Sequence, residues 1–166
     1  YPFLPTKIFK NFDLKSVSEN KIIKRLVSSG TTGQLPSKIY LDKENANNQK
    51  RALNKIMSTL LGNERLPMLI VDQNPRLNEK SVLNARAVAI FGFSIFGKEH
   101  SYLLNKNFEI DYKTLNSFLE KNDNKKFLIF GFTSLIYENL IKKISKKLLN
   151  YNFNKGILLH GGGWKK

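Results

Sequence analysis

The chain has 166 residues, 41% of them hydrophobic, with a formal net charge of +15 from 28 Lys and Arg against 13 Asp and Glu, and no cysteine. That length supports one domain with a true core, burying roughly 70% of its unfolded surface, and the lack of cysteine excludes a disulfide framework, a thiolate zinc site and a thiol nucleophile on these residues. The longest apolar run, Val88 to Phe96, falls short of the ~20 residues a membrane helix needs, and no basic region followed by an apolar signal core opens the chain, so a cytoplasmic protein without a membrane span is expected.

Residues 1–20, with Pro2 and Pro5, read as an irregular lead-in, and Tyr1 in place of Met suggests a processed or trimmed chain. Lys21 to Ser28 has a strand pattern through Ile22, Ile23, Leu26 and Val27, and Ile39 to Leu41 forms a second. Between them lies "SSGTTGQLPSK", Ser28 to Lys38. Asp42 is placed to cap a helix with Ala46, Leu53, Ile56, Met57 and Leu60 on its apolar face and Gly62 at its end. Leu66 to Val71 is a continuous apolar run of the kind buried on both faces of a parallel sheet. A helix is expected within Ser81 to Phe96, ending near Gly92, then a short strand over Ser101 to Leu104 and a helix over Asp111 to Lys121. Phe127 to Phe130 is another buried strand. Thr133 is expected to cap a long amphipathic helix to Leu149, and Gly156 to Leu159 leads as a strand into "HGGGWKK". The alternation predicts an α/β fold with a mostly parallel sheet flanked by helices, whose ligands bind beyond the carboxyl ends of the strands.

The strongly basic balance raises nucleic acid as a partner. Its lysines, however, are scattered among asparagines and arginine is scarce, which argues for a generally anion-friendly surface over base-specific recognition. A basic module for nucleic acid or another polyanion stands as the alternative function.

The loop from Ser28 to Gly33 has few apolar atoms to give a core. It is no P-loop, because only two residues separate Gly30 and Gly33 and Lys38 stands alone; it is no dinucleotide fingerprint, because it returns as a strand. Two readings remain. It is a polar hairpin turn, or a cradle in which Gly30 and Gly33 permit positive φ, backbone amides converge, Ser28, Ser29, Thr31 and Thr32 add hydroxyls and Lys38 adds a point charge for an anion.

Four stretches, "SSGTTGQLPSKIYLDKENANNQ", "AVAIFGFSIFGKEHSY", "FLIFGFTSLIYENL" and "GILLHGGGWKK", together resemble the LuxE-type acyl-protein synthetases of the adenylate-forming ligase superfamily, in the same order from Lys21 to Lys166. The resemblance implies the fold of the N-terminal region of those ligases, with 21–166 a single nucleotide-binding domain of a longer enzyme. It implies a fatty acid activated as acyl-adenylate with ATP and Mg²⁺ and passed to a thiol on a partner protein. It assigns Ser28, Ser29, Gly30, Thr31, Thr32 and Gly33 to phosphate binding, with Thr31, Thr32 and Lys38 stabilising the transferring phosphoryl group, and Gly161, Gly162 and Gly163 to the adenine pocket. An extra residue between Gly33 and Pro36 departs from the superfamily pattern and moves Lys38. The superfamily's downstream motifs, its C-terminal domain and the acylated cysteine are not among these residues.

"HGGGW" also resembles the oxyanion segment of α/β-hydrolase esterases, but the nearest serine, Ser94, precedes it with the wrong spacing for a nucleophile elbow. A structural turn is the third reading. "IFGFSIF", Ile90 to Phe96, reads as core before acyl channel. His100 and His160 are the only histidines, with no third partner spaced for a metal site.

Overall fold

The computed structural model describes residues 3–5, 7–27, 35–75, 85–143 and 151–163. They form two compact units, 1–62 and 63–166.

In the first unit a short helix α1 (Ile8–Asn11) precedes a single helical turn at Glu19–Lys21 and an antiparallel pair, β1 (Ile22–Val27) and β2 (Lys38–Asp42). Val27 pairs with Lys38 and Leu26 with Ile39, so the two strands expected on either side of the glycine-rich loop are both present. Residues Ser28 to Gln34 of that loop lie outside the described ones. Asp42 ends β2 and caps α2 (Lys43–Leu61) by accepting from the Asn45 amide at 2.8 Å. This satisfies one of the donors that every helix leaves unpaired in its first turn. Gly62 closes α2 at φ +76°, a backbone that side-chain-bearing residues avoid. Ala46, Met57 and Leu61 are the buried residues of α2, whereas Ile56 and Leu60, expected on its core face, are 64% and 49% exposed. The inward stripe is narrower than the apolar pattern suggested.

The second unit holds a four-stranded, all-parallel sheet of β3 (Leu66–Ile70), β4 (Gly97–Tyr102), β5 (Phe127–Phe132) and β6 (Gly156–Gly161), in the order β4-β3-β5-β6. Each strand is joined to the next by a helical crossover, since parallel neighbours cannot be linked by a tight turn: α3 (Ala85–Ser94), α4 (Tyr112–Lys121) and α5 (Thr133–Leu135), which runs on in wide π turns over Ile136–Ile141.

Residue alternation along β5 shows how the sheet is covered. Phe127 meets Phe118 of α4 edge-on, at 5.4 Å between ring centroids, and Phe130, on the opposite face, stacks on Phe93 of α3 at 4.8 Å. Helices therefore cover both faces. Leu69, Val71, Phe127 and Ile129 face α4 and the π segment, where Leu115, Phe118, Ile136 and Leu140 complete the core. Met68 pairs with Leu128 and Ile70 with Phe130, which places these four on the α3 face. Asp111 caps α4 through the Lys113 and Thr114 amides at 3.0 and 3.2 Å. The expected helix end near Gly92 extends to Ser94, and the strand expected at Ser101 to Leu104 begins earlier, at Gly97.

Gly97 starts β4 against Met68: a Cβ there would lie 2.5 Å from Met68 Sδ and 2.6 Å from its Cβ. Gly92, within α3, would have nothing within 4 Å. Gly97→Ala is therefore expected to lower the unfolding free energy by about 1–3 kcal/mol through overpacking. Gly92→Ala should be neutral or stabilising by up to ~1 kcal/mol through helix propensity. Urea unfolding of the two variants beside the parent chain checks the contrast.

Candidate functional site

In a parallel sheet all strands end at the same edge, and here that edge gathers the polar groups. Ile70, Phe130 and Leu159 lie in register. Beyond them come Val71 and Asp72 after β3, Gly131 to Thr133 at the end of β5, and His160 to Gly163 at the end of β6. The chain leaves β3 toward β4 on one side and β5 toward β6 on the other. The gap between β3 and β5 is thus the point where the winding reverses, the position at which open α/β sheets bind ligands.

At β6 the backbone turns through Gly162 at φ +85°. A Cβ on Gly162 would also lie 3.1 Å from Phe132 Cδ1, whereas one on Gly161 or Gly163 would meet nothing within 4 Å. Glycine is thus required at the middle position by conformation and by Phe132, and a Cβ on either side would meet none of the described residues. Thr133 holds this turn. Its Oγ1 lies 2.8 Å from the Gly162 carbonyl, 3.1 Å from that of Gly161 and 3.0 Å from His160 Nδ1. Thr133 was expected to be a helix cap; Phe132 occupies the cap position, with no side-chain cap bond. The threonine is the first helical residue, so its hydroxyl is spent across the sheet edge on β6. The long helix expected after it is described only to Lys143, and six of its residues wind as a π-helix, a form enriched at functional sites.

Asp72 is the second feature of this edge. It is only 4% exposed. One carboxylate oxygen accepts from the Gln73 amide at 2.8 Å, and the other, Oδ2, has no hydrogen-bond partner among the described residues, with Arg86 Nε at 3.4 Å. Burial pushes its carboxyl above the usual aspartate range, against the opposing pull of the Gln73 amide and the Arg86 charge. Arg86, in the first turn of α3, lies over the Phe108 ring at 5.2 Å. Asp72 carries a signal that the sequence reading passed over: a carboxylate directly closing a strand buried on both faces.

Beside it, past the ends of β3 and β4, is a cavity of about 300 Å³, near the lower limit for ligand pockets. Gln73, Tyr102, Leu104, Asn105 and Asp111 are among the residues that line it. Gln73 Nε2 donates to the Asn105 carbonyl at 2.8 Å, so the loops after β3 and β4 are tied together.

Of the residues singled out in the sequence, Gly161, Gly162 and Gly163 sit at the carboxyl edge. Ser28, Ser29, Gly30, Thr31, Thr32 and Gly33 lie outside the described residues. Lys38, at the start of β2, pairs with Asp13 at 3.0 Å; that bond holds the ammonium pKa up and the carboxyl pKa down. Ser94 donates its hydroxyl to the Phe91 carbonyl at 2.8 Å, and His100 contacts the Ser94 carbonyl at 2.9 Å. His100 Nε2 is therefore engaged by a backbone oxygen, and the Ser94 hydroxyl by another. Among the described residues no group of three or more His, Asp or Glu is placed to hold a metal ion, and no helix is long and apolar enough to cross a membrane.

Fold and edge together define an open, doubly covered parallel α/β protein with a glycine turn at its strand carboxyl ends. The family model described as "Acyl-protein synthetase, LuxE" matches residues 1–166. The chain belongs to the LuxE acyl-protein synthetase family, a family of ligases, as the four motif stretches implied. No curated protein and no solved structure matches it.

Because its pKa is higher in the fold than in the open chain, Asp72 binds its proton more tightly when folded, and stability falls as pH rises from the ordinary aspartate value through the raised one. Asp72→Asn removes that cost. It is expected to stabilise the chain by on the order of 1 kcal/mol at pH 7, with the advantage vanishing towards pH 3.5; urea unfolding at several pH values checks both.

Proposed function

We propose that this chain carries the nucleotide-binding part of an ATP-dependent acyl-protein synthetase, which activates a fatty acid as its acyl-adenylate and passes the acyl group to a protein thiol. Membership of the family supports the ligase class. The observation that carries the nucleotide reading is the turn at Gly161 to Gly163: backbone held open at the sheet's carboxyl edge, with glycine required at its centre. Such a turn offers planar peptide surface to a flat base without side chains in the way.

The first half-reaction brings a carboxylate to a polyphosphate, so its main demand is to gather and neutralise negative charge. Backbone amides from Gly30 to Gly33, the Ser28, Ser29, Thr31 and Thr32 hydroxyls and Mg²⁺ would meet that demand. Lys38 would add its charge by exchanging Asp13 for phosphate. The net charge of +15 favours the approach of such anions. The chain has no cysteine, so the thiol that receives the acyl group lies outside these residues.

Calorimetric titration with MgATP tests the reading. Saturable binding is expected, weakened at least tenfold by Gly30→Ala with Thr32→Val and also by Gly162→Ala. Tripolyphosphate should compete poorly. Equal competition by tripolyphosphate, with an affinity that collapses as salt rises, would support a polyanion-binding module instead.

A further inference from the structure

Three contacts converge on a single hydroxyl at the end of the sheet, and they cannot all be donations. Thr133 Oγ1 lies within hydrogen-bond distance of the Gly161 carbonyl, the Gly162 carbonyl and His160 Nδ1. A hydroxyl has one proton and two lone pairs. Both carbonyls accept only, so the proton goes to them, the shorter contact being 2.8 Å to Gly162. Nδ1, at 3.0 Å, then meets an oxygen whose proton is already used, and that contact is attractive only if Nδ1 carries the hydrogen.

We propose that Thr133 is the positioning residue of the glycine turn, and that it holds His160 in the Nδ1–H tautomer. This rests on the nucleotide reading for its ligand but not for its geometry. The anchor is rigid: Thr133 directly follows β5, which is hydrogen-bonded on both sides, and a β-branched side chain has few χ1 options. The consequence runs through the planar peptide, in which C=O and the following N–H point in opposite directions. With the Gly161 and Gly162 carbonyls drawn to Thr133, the N–H groups of Gly162 and Gly163 face away from it as two successive donors. In the Nδ1–H tautomer the ring carries its lone pair on Nε2, and His160 is itself exposed. The edge therefore presents two donors and one acceptor of fixed sense, a pattern suited to a ligand group that carries both acceptors and a donor, as a nucleobase edge does.

Nitrogen-15 NMR of the histidine rings reports the tautomer directly, with His160→Asn identifying the His160 signals. In the 166-residue chain the Nδ1–H form is expected to predominate. Thr133→Ser, which keeps the hydroxyl, should preserve it and leave the MgATP dissociation constant within about twofold. Thr133→Val, nearly isosteric, should release His160 to the Nε2–H form common in solution and weaken MgATP about five- to tenfold, as expected for the net loss of one hydrogen bond. A predominant Nε2–H form in the parent chain overturns the inference. So does a Val variant that keeps the Nδ1–H form, or one that switches tautomer without losing affinity. If the parent chain fails to bind MgATP, the nucleotide reading falls, and the positioning role stands or falls on the tautomers.

Discussion

The burial of β3 and β5 on both faces is the constraint on which the second unit depends. A strand with water on neither side must satisfy its backbone through neighbours, and its side chains must serve two separate helical layers. Met68, Leu69 and Ile70, with Leu128, Ile129 and Phe130, meet this demand residue by residue, alternating between the α3 face and the face covered by α4 and the π segment. Helical crossovers on both faces follow from it. So does the gathering of every strand's carboxyl end at one edge, where the chain can afford groups that the core cannot hold.

That edge is where the hydrophobic run stops, and the groups found there are of two kinds. Asp72 is a carboxylate left partly unsatisfied at the end of β3, a burial cost that the Gln73 amide and the Arg86 charge offset only in part. Thr133 is the opposite case, a small hydroxyl with more partners than it has protons. Both follow directly on the two central strands, so their positions inherit the rigidity of the sheet. The glycine turn, on the edge strand β6, is fixed by one of them through Thr133 and closed from below by Phe132.

The first unit is organised differently. Among the described residues its two strands pair only with each other, and Ile23 and Val27 on β1 are exposed. Charge contacts surround this hairpin: Lys15 and Arg25 both pair with Glu19, Lys38 pairs with Asp13, and Lys15 lies 5.0 Å from the centre of the Tyr40 ring. Exposed ion pairs of this type contribute little to stability. Breaking any one of these pairs is therefore a small loss to the fold.

Much of this was legible in the sequence because it is written in local chemistry. The apolar runs of β3 and β5, the Asp42 cap and the Gly62 stop point to the α/β class by residue type and spacing, and the four motif stretches point to the family by resemblance. What the tertiary structure decided depends on distance between segments. Spacing could not show that Ile56 and Leu60 would be left exposed, because the width of a buried stripe is set by what packs on it. Nor could it show that Thr133 would leave its expected cap role for Gly161, Gly162 and His160. Those partners lie 27 to 29 positions further along the chain, and only the pairing of β5 with β6 brings them within reach of one hydroxyl.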